Sequence, residues 1–252
     1  MTLPRHPDKL DEPELVTPEA AVAYFYDEPP TAPDAVVLCY HDAVIEHAAE
    51  AYATTPVPGF GEGHALDDAG GSVGVVRVPG VGAPAAALTM EGLAARGTEA
   101  FVSVGHVGAL DPSLEIGDLV VVDRALRDEG TSHHYLEPAD SVEADPGLRS
   151  TLEAAFEADG EPARVGPTWT TDAPHRETAA EVERYRAEGV LTVDMEAAGV
   201  FAVAEHRGLR AAAAFTVSDV LDPEGWEPAF AETEPHLERL LDRVVAALAG
   251  DE

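Results

Sequence analysis

Positive charge is the scarcest property of this 252-residue sequence. Lysine and arginine together number 15 against 48 aspartates and glutamates, so the formal net charge is −33 with histidine neutral. Lys9 is the single lysine, and every other cationic side chain is an arginine. The phosphates of nucleic acids and of anionic lipids would repel such a surface. The charge balance therefore argues against a nucleic-acid-binding or membrane-surface protein.

Cysteine and long apolar runs are also nearly absent. Cys39 has no second cysteine with which to form an intramolecular disulfide, and its apolar neighbours in Val36 to Tyr40 predict a buried strand rather than a nucleophile. No stretch approaches the roughly 20 apolar residues of a membrane helix, and the first eight residues lack the apolar core of a signal peptide. We therefore expect a cytoplasmic protein that does not enter a membrane.

Apolar residues are abundant and fall in short blocks. They make up 45% of the chain, which is typical of a folded domain and argues against the disorder that high net charge alone would predict. Many carboxylates, almost no lysine and few aromatic residues resemble the composition of salt-adapted haloarchaeal proteins. At molar salt the Debye length falls to about 3 Å, so such a surface hardly repels itself. An acidic protein from ordinary cytosol is the alternative.

Short β-rich runs alternate with helical stretches along the chain. The clearest unit joins the strand Val73 to Val78, the glycine turn Gly80 to Gly82 and a helix from Pro84 to Arg96. Near-continuous apolar strands indicate a sheet covered on both faces. We expect an α/β fold in which residues 1–252 form a single domain, with a mixed, mostly parallel central sheet flanked by helices. Other predicted helices are 43–53, 148–158, 177–188, 196–207 and a last helix through 237–248; other predicted strands are 36–40, 101–104, 119–122, 165–170 and 211–217.

The sequence has no clear metal-binding or nucleotide-cofactor motif. His133-His134 comes nearest to a metal site, but adjacent side chains on a strand point to opposite faces and no partner ligands stand out. The glycine-rich turns at Gly80 to Gly82 and Gly105 to Gly108 lack both the P-loop lysine and the spacing of a dinucleotide fingerprint. We therefore expect no bound metal and no organic cofactor.

Polar groups follow three of the predicted strands. They are the segment Gly105-His106-Val107-Gly108, the segment Asp194-Met195-Glu196 and the pair Ser218-Asp219. Ligands of parallel sheets bind outside the carboxyl ends of the strands, so three such ends together predict one site. Each group also has a structural explanation, because serine and acidic side chains cap helices and offset the helix dipole.

Two of these segments resemble the signature of a known family. Val193-Asp194-Met195-Glu196-Ala197-Ala198, with Thr216-Val217-Ser218-Asp219 downstream, is similar to the nucleoside phosphorylase superfamily, which includes uridine phosphorylases, hexameric purine nucleoside phosphorylases and related nucleosidases. Val102 to Leu110 resembles the phosphate loop of that family, and Thr171 to Glu177 resembles the base-side segment of its archaeal uridine-phosphorylase-like branch. The resemblance covers nearly the whole chain and implies a nucleoside phosphorylase-like fold.

The resemblance implies roles at the sugar and at the leaving base. Glu196 would accept hydrogen bonds from the ribose 2′- and 3′-hydroxyls, and Met195 would pack against the sugar. His6 would reach the 5′-hydroxyl in a neighbouring subunit. Cleavage of an N-glycosidic bond leaves positive charge on the sugar and negative charge on the base, so Asp219 would give a proton to the base.

The resemblance also implies candidates for the base edge and for phosphate. Arg176 is the first candidate for contacting the base edge, and Arg127 is a weaker one. His106 stands where the family carries a threonine or serine hydroxyl that binds phosphate, and the backbone amides of Gly105 to Gly108, together with His106, could bind phosphate here. The implied partners are a small-molecule nucleoside and phosphate, and the implied assembly is a homo-oligomer, either hexameric or dimer-based.

The sequence departs from the family at the phosphate site. Tyr40 to Val44 and Ser103 stand where phosphorylases of this family carry phosphate-binding arginines. Charge-assisted hydrogen bonds are roughly twice as strong as neutral ones, so the loss is substantial. Three functions stay open: phosphorolysis of a purine nucleoside or of uridine with inorganic phosphate as co-substrate, phosphate-independent hydrolysis of the same bond, and nucleoside binding without catalysis.

Overall fold

The computed structural model describes residues 7–59 and 61–250. Its α-helices are α1 (Pro18–Phe25), α2 (Asp42–Ala51), α3 (Ala83–Ala94), α4 (Pro146–Ala158), α5 (Ala179–Ala187), α6 (Ala197–Arg207) and α7 (Phe230–Ala249). Its strands are β1 (Ala35–Cys39), β2 (Thr54–Pro56), β3 (Gly63–Leu66), β4 (Val73–Arg77), β5 (Ala100–Ala109), β6 (Leu119–Asp128), β7 (Ser141–Glu143), β8 (Arg164–Thr171), β9 (Thr192–Asp194), β10 (Arg210–Asp222) and β11 (Gly225–Pro228). This confirms the α/β fold with a mixed sheet flanked by helices.

The central sheet closes on itself around β5. Parallel pairings join β4 to β1, β1 to β5 and β5 to β10, and a second parallel set joins β6 to β8 and β8 to β9. Antiparallel pairings of β10 with β6 and of β9 with β5 connect the two sets. The strands β5, β10, β6, β8 and β9 therefore form a closed ring. The ends of β5, β9 and β10 meet on one side of it.

Helices cover the sheet on both faces, because successive strand side chains point to opposite sides. In β1, Leu38 belongs to the cluster that includes Met90 of α3 and Phe201 of α6. Cys39, the next residue, belongs to the opposite cluster with Ile45 of α2 and the buried face of α7. The expected buried strand position of Cys39 is confirmed, and burial raises the pKa of its thiol to about 12.

The segment Gly105 to Gly108 is part of β5, so its interpretation as a turn is wrong. It pairs with β10, where Gly105 is opposite Phe215 and Gly108 is opposite Asp219. On its other edge β5 pairs with β9, where Gly108 is opposite Val193. Glycine is needed here for close packing, since a Cβ on Gly108 would lie 2.5 Å from Leu221 Cδ1 and 3.0 Å from Asp219 Oδ2.

Several elements lie outside the sequence expectations. The N-terminal α1, the hairpin of β2 and β3, and the short strands β7 and β11 were not predicted from periodicity. The last helix begins at Phe230, seven residues before its apolar face starts. Within residues 7–59 and 61–250, no helix combines the length and apolarity needed to cross a lipid bilayer.

Candidate active site

A cavity of about 750 Å³ opens where the ends of β5, β9 and β10 meet. Five residues for which the sequence predicts a role toward a ligand line it: His106 and Gly108 from β5, Met195 and Glu196 after β9, and Asp219 from β10. The structure therefore brings the three predicted strand ends to one site. Further lining comes from Tyr40 and His41 after β1, from the start of α5, and from the hairpin of β10 and β11.

Asp194 fixes the turn that presents Glu196 to the cavity. Its carboxylate accepts hydrogen bonds from the backbone N–H groups of Glu196 at 2.8 Å and Ala197 at 2.6 Å, which are the first free donors of α6. The hydroxyl of Thr170 donates to it at 2.7 Å. Burial raises the pKa of Asp194, while these hydrogen bonds oppose that effect by favouring the ionised form. Asp194 is thus a structural cap, as the helix-cap explanation proposed.

Glu196 is a buried carboxyl group whose surroundings favour its protonated form. Its side chain lies with only 8% of its surface exposed, and Oε1 accepts a hydrogen bond from Gly82 N at 2.6 Å. Gly82 has φ of 93°, a conformation that side-chain-bearing residues rarely adopt, so glycine allows this N–H to point at the carboxylate. Burial, followed by repulsion from Asp194, raises the pKa of Glu196 to about 8.

Asp219 is held by two donors at a bulge of β10. The register of β10 against β5 shifts between Val217 and Asp219, which turns the carboxylate toward the cavity. Ser218 Oγ donates to Oδ1 at 2.7 Å, and Trp226 Nε1 donates to Oδ2 at 2.7 Å. Asp219 is also buried, with 7% of its surface exposed. Its orientation is therefore fixed before any ligand binds.

Glu177 is a second carboxyl group on the same side of the cavity, and sequence reasoning missed it. It lies between the 3₁₀ turn Pro174–Arg176 and the N-cap of α5, and it lines the cavity. Burial, followed by repulsion from Asp219 and Glu181, raises its pKa to about 7. In the described part of the chain, no group donates a hydrogen bond to this carboxylate. An acceptor without a donor is thus available to a ligand.

Two neutral histidines occupy the region where the sequence predicted phosphate binding. The rings of His41 and His106 lie 4.4 Å apart, and burial lowers the pKa of both, that of His106 to about 3. His106 Nε2 lies 2.9 Å from the hydroxyl of Thr233, which itself can donate to the Phe230 carbonyl at 3.0 Å. In that arrangement His106 Nε2 carries the proton and Nδ1 is a buried acceptor without a partner.

The cavity is acidic. Of its lining residues in the described ranges, none is lysine or arginine. The carboxyl groups among them are Glu177, Asp194, Glu196, Asp219, Asp222 and Glu224. A phosphate dianion would therefore meet repulsion that neutral histidines do not offset in low salt.

The sequence model of the phosphorylase superfamily matches residues 17–249. The chain belongs to the phosphorylase superfamily. Among its relatives are a guanosine phosphorylase from Halorubrum lacusprofundi, 38% identical over 55% of this chain and 57% of the relative, and a uridine phosphorylase from Thermococcus kodakarensis, 34% identical over 54% of each. A DeoD-type purine nucleoside phosphorylase from Colwellia psychrerythraea is 33% identical over 49% of this chain and 53% of the relative. The matches thus span little more than half of each relative.

Three of the residues that the family resemblance suggested are not in the cavity lining. Arg176 is exposed on its 3₁₀ turn, whereas its neighbours His175 and Glu177 line the cavity. Arg127 lies buried in β6, where it donates to Ser132 Oγ at 2.9 Å and to backbone carbonyls, so its guanidinium is already used in structure. Gly105 lies against the ring of Tyr40 instead of opening to the cavity.

His6 lies outside the described residues, so its predicted contact with the ribose 5′-hydroxyl stays a prediction. The histidine pair His133-His134 forms a 3₁₀ turn, Ser132–His134, instead of a strand. Among the residues that the structure describes, no group of three or more His, Cys, Asp or Glu side chains has the arrangement of a metal site.

Signals for the missed cavity residues were present in the sequence. Glu177 directly follows Arg176 in the segment that resembles the base side of the family. The sequence Asp222-Pro223-Glu224-Gly225 has turn-forming residues that predict a hairpin. Such a hairpin would fold Trp226 back toward the end of β10. In the structure Trp226 of β11 is paired with Leu221 of β10, which places it there.

Proposed function

We propose that this protein is a nucleoside phosphorylase that cleaves the N-glycosidic bond of a purine nucleoside. Inorganic phosphate would be the co-substrate, and the products would be free base and ribose 1-phosphate. The observation that carries the proposal is the convergence of Glu196 and Asp219 on one cavity in a chain of the phosphorylase superfamily. The reaction as proposed needs no organic cofactor and no metal.

The chemistry assigns different tasks to the two carboxyl groups. The ribose hydroxyls would donate to Glu196 and favour its ionised form, while Met195 packs against the sugar. Negative charge at Glu196 stabilises the positive charge that develops on the ribose in the transition state. Asp219, oriented by Ser218 and Trp226, would enter the reaction protonated, give that proton to the base as the bond breaks, and end as a carboxylate that still accepts from both donors.

The base-side carboxyl groups favour a 6-oxopurine over uracil. The Glu177 carboxylate lacks a donor, and the N1–H of guanine or hypoxanthine would supply one, with the 2-amino group of guanine as a second. Uracil presents two carbonyl acceptors beside its single N–H, and the described lining offers no arginine or lysine to meet them. The similarity to a guanosine phosphorylase supports this choice. Uridine remains the alternative substrate, supported by the similarity to a uridine phosphorylase.

Hydrolysis of the same bond is the second candidate. The acidic cavity lining without lysine or arginine favours water over a phosphate dianion as nucleophile. Against this, molar salt would screen the carboxylates. The relatives that this chain matches are named phosphorylases, so phosphorolysis is the leading proposal.

The deciding experiment measures base release from guanosine, inosine and uridine with and without phosphate in molar KCl. Phosphorolysis predicts release that requires phosphate and forms ribose 1-phosphate in equal amount, with purines preferred. Release that ignores phosphate would identify a hydrolase, and binding without release would identify a nucleoside-binding protein. The variants Asp219→Asn and Glu196→Gln should each lower kcat/KM about 100-fold or more. Glu183→Gln, an exposed change on α5, is the matched control.

The proposal extends to the assembly and setting of the enzyme. We propose a cytoplasmic homo-oligomer, hexameric or dimer-based, that serves nucleoside salvage in a salt-rich cytosol. Light scattering after size exclusion in molar KCl tests the assembly, since a monomeric mass would contradict it.

A further inference from the structure

Trp226 is the large aromatic side chain at the base side of the cavity, and the proposed reaction uses its N–H but gives its ring no role. Its side chain lies in β11, lines the cavity and keeps 59% of its surface exposed. Aromatic rings contribute most when they are buried, so an exposed indole in a cavity is suited to burial by a ligand. The other tryptophan, Trp169, is 1% exposed in the core.

The indole is held in place from three directions. Its Nε1–H donates to Asp219 Oδ2 at 2.7 Å, and the centroid of its ring lies 6.2 Å from that of Phe230. The hairpin that carries it is anchored by Arg186 of α5, which donates to the Leu221 carbonyl at 2.8 Å. The ring is therefore a fixed surface and not a freely rotating side chain.

Phe230 extends this surface toward the histidine pair. The centroid of its ring lies 5.6 Å from that of His106, which in turn lies 4.4 Å from that of His41. A row of rings thus runs from the histidines to the base-side carboxyl groups. At its Trp226 end the row contacts Asp219, the carboxylate that the proposed mechanism places at the leaving base.

We infer that Trp226 has two tasks: its indole stacks against the nucleobase, and its Nε1–H positions the Asp219 carboxylate for the departing base. This inference rests on the proposed function and deepens it. Stacking would select a flat aromatic leaving group without reading its edge. The hydrogen bond would keep Asp219 oriented, so loss of the N–H and loss of the ring should have different kinetic effects.

Three variants separate the two tasks. Trp226→Phe keeps an aromatic face and removes the donor, so kcat should fall about tenfold while KM stays within about threefold. Trp226→Ala also removes the face, so KM should rise about tenfold or more in addition, in line with the effect of losing one base-aromatic stack. Tyr24→Ala, which removes an exposed ring on α1 that is not part of the cavity lining, should leave both constants unchanged.

Tryptophan fluorescence gives a readout that does not depend on turnover. Guanosine or inosine should change the emission of the wild-type protein, whereas ribose alone should not, and Trp226→Phe should lose the response because Trp169 is buried. The same response in Trp226→Phe, or equal KM values in Trp226→Ala and wild type, would overturn the inference.

The two readouts also distinguish this inference from the proposed function. Fluorescence changes without base release would refute the phosphorylase proposal and support base stacking on Trp226. Base release without any change in emission would support the enzyme and overturn the role of Trp226.

Discussion

Replacing Glu196 by glutamine should abolish most of the activity and stabilise the fold at alkaline pH. The side chain is 8% exposed, and burial together with Asp194 raises its pKa from an ordinary 4.5 to about 8. Glutamine keeps the shape and can still accept the hydrogen bond of Gly82. Glutamine cannot ionise. It therefore lacks the negative charge that is proposed to stabilise the transition state, and it also lacks the buried charge that lowers the free energy of unfolding at high pH.

The size of the stability effect follows from proton linkage. Between pH 4.5 and pH 8 the folded protein holds a proton on Glu196 that the unfolded chain has released, so the free energy of unfolding falls as pH rises through this window. Each pKa unit corresponds to about 1.4 kcal/mol. The advantage of Glu196→Gln over wild type should therefore grow by about 3 kcal/mol from pH 5.5 to pH 8.5 and then level off.

Urea unfolding of both proteins at several pH values in molar KCl measures this difference. All other titrating groups are shared, so they cancel in the comparison, and the exposed change Glu183→Gln should give a flat difference. A flat difference for Glu196→Gln would show that burial does not hold the proton on Glu196. Wild-type kcat/KM in that variant would refute its role at the ribose.

Two further predictions concern Glu177, which lies in the cavity although the sequence did not point to it, and Arg127, which lies outside the cavity although the sequence did. Wild-type kcat/KM for guanosine should rise as pH increases through about 7, because the ionised Glu177 carboxylate is the better acceptor for the base N–H, and Glu177→Gln should remove this rise. A pH profile of the variant identical to that of wild type would contradict this. Arg127→Met should lower the free energy of unfolding by about 2–4 kcal/mol, because the buried Ser132 hydroxyl and the Glu137 carbonyl lose their donor, while KM stays unchanged. A raised KM for the nucleoside in buffer without urea would show instead that Arg127 takes part in substrate binding.

Local periodicity was enough to predict most of the elements that build the core. The strand Val73–Arg77 and the helix Ala83–Ala94 lie where apolar blocks and glycine turns indicated them. The predicted apolar face of the last helix, from Leu237 to Leu248, is buried. These features depend on neighbours within a few residues, which is the information that a single sequence displays directly.

The interpretation of Gly105 to Gly108 failed for the opposite reason. Two glycines in four residues favour a turn locally, but strands β9 and β10 pair on either side and extend β5 through them. The glycines provide room for Tyr40 and for Asp219, both of which are distant in the sequence. Pairing with strands that are distant in the sequence therefore determines the conformation of this segment, and no local sequence pattern indicates that pairing.

The acidic composition has different consequences on the surface and in the cavity. Exposed carboxylates are screened beyond about 3 Å in molar salt, so most of the −33 charge costs the fold little there. Inside the cavity, salt cannot surround Glu196 and Asp194. Burial raises the pKa of both, and repulsion from Asp194 raises that of Glu196 further, which favours its protonated form. A nucleoside whose ribose hydroxyls donate to Glu196 would replace that proton with hydrogen bonds. The acidic lining is thus suited to a neutral, donor-rich substrate, and the proposed co-substrate phosphate is the ligand for which salt screening matters.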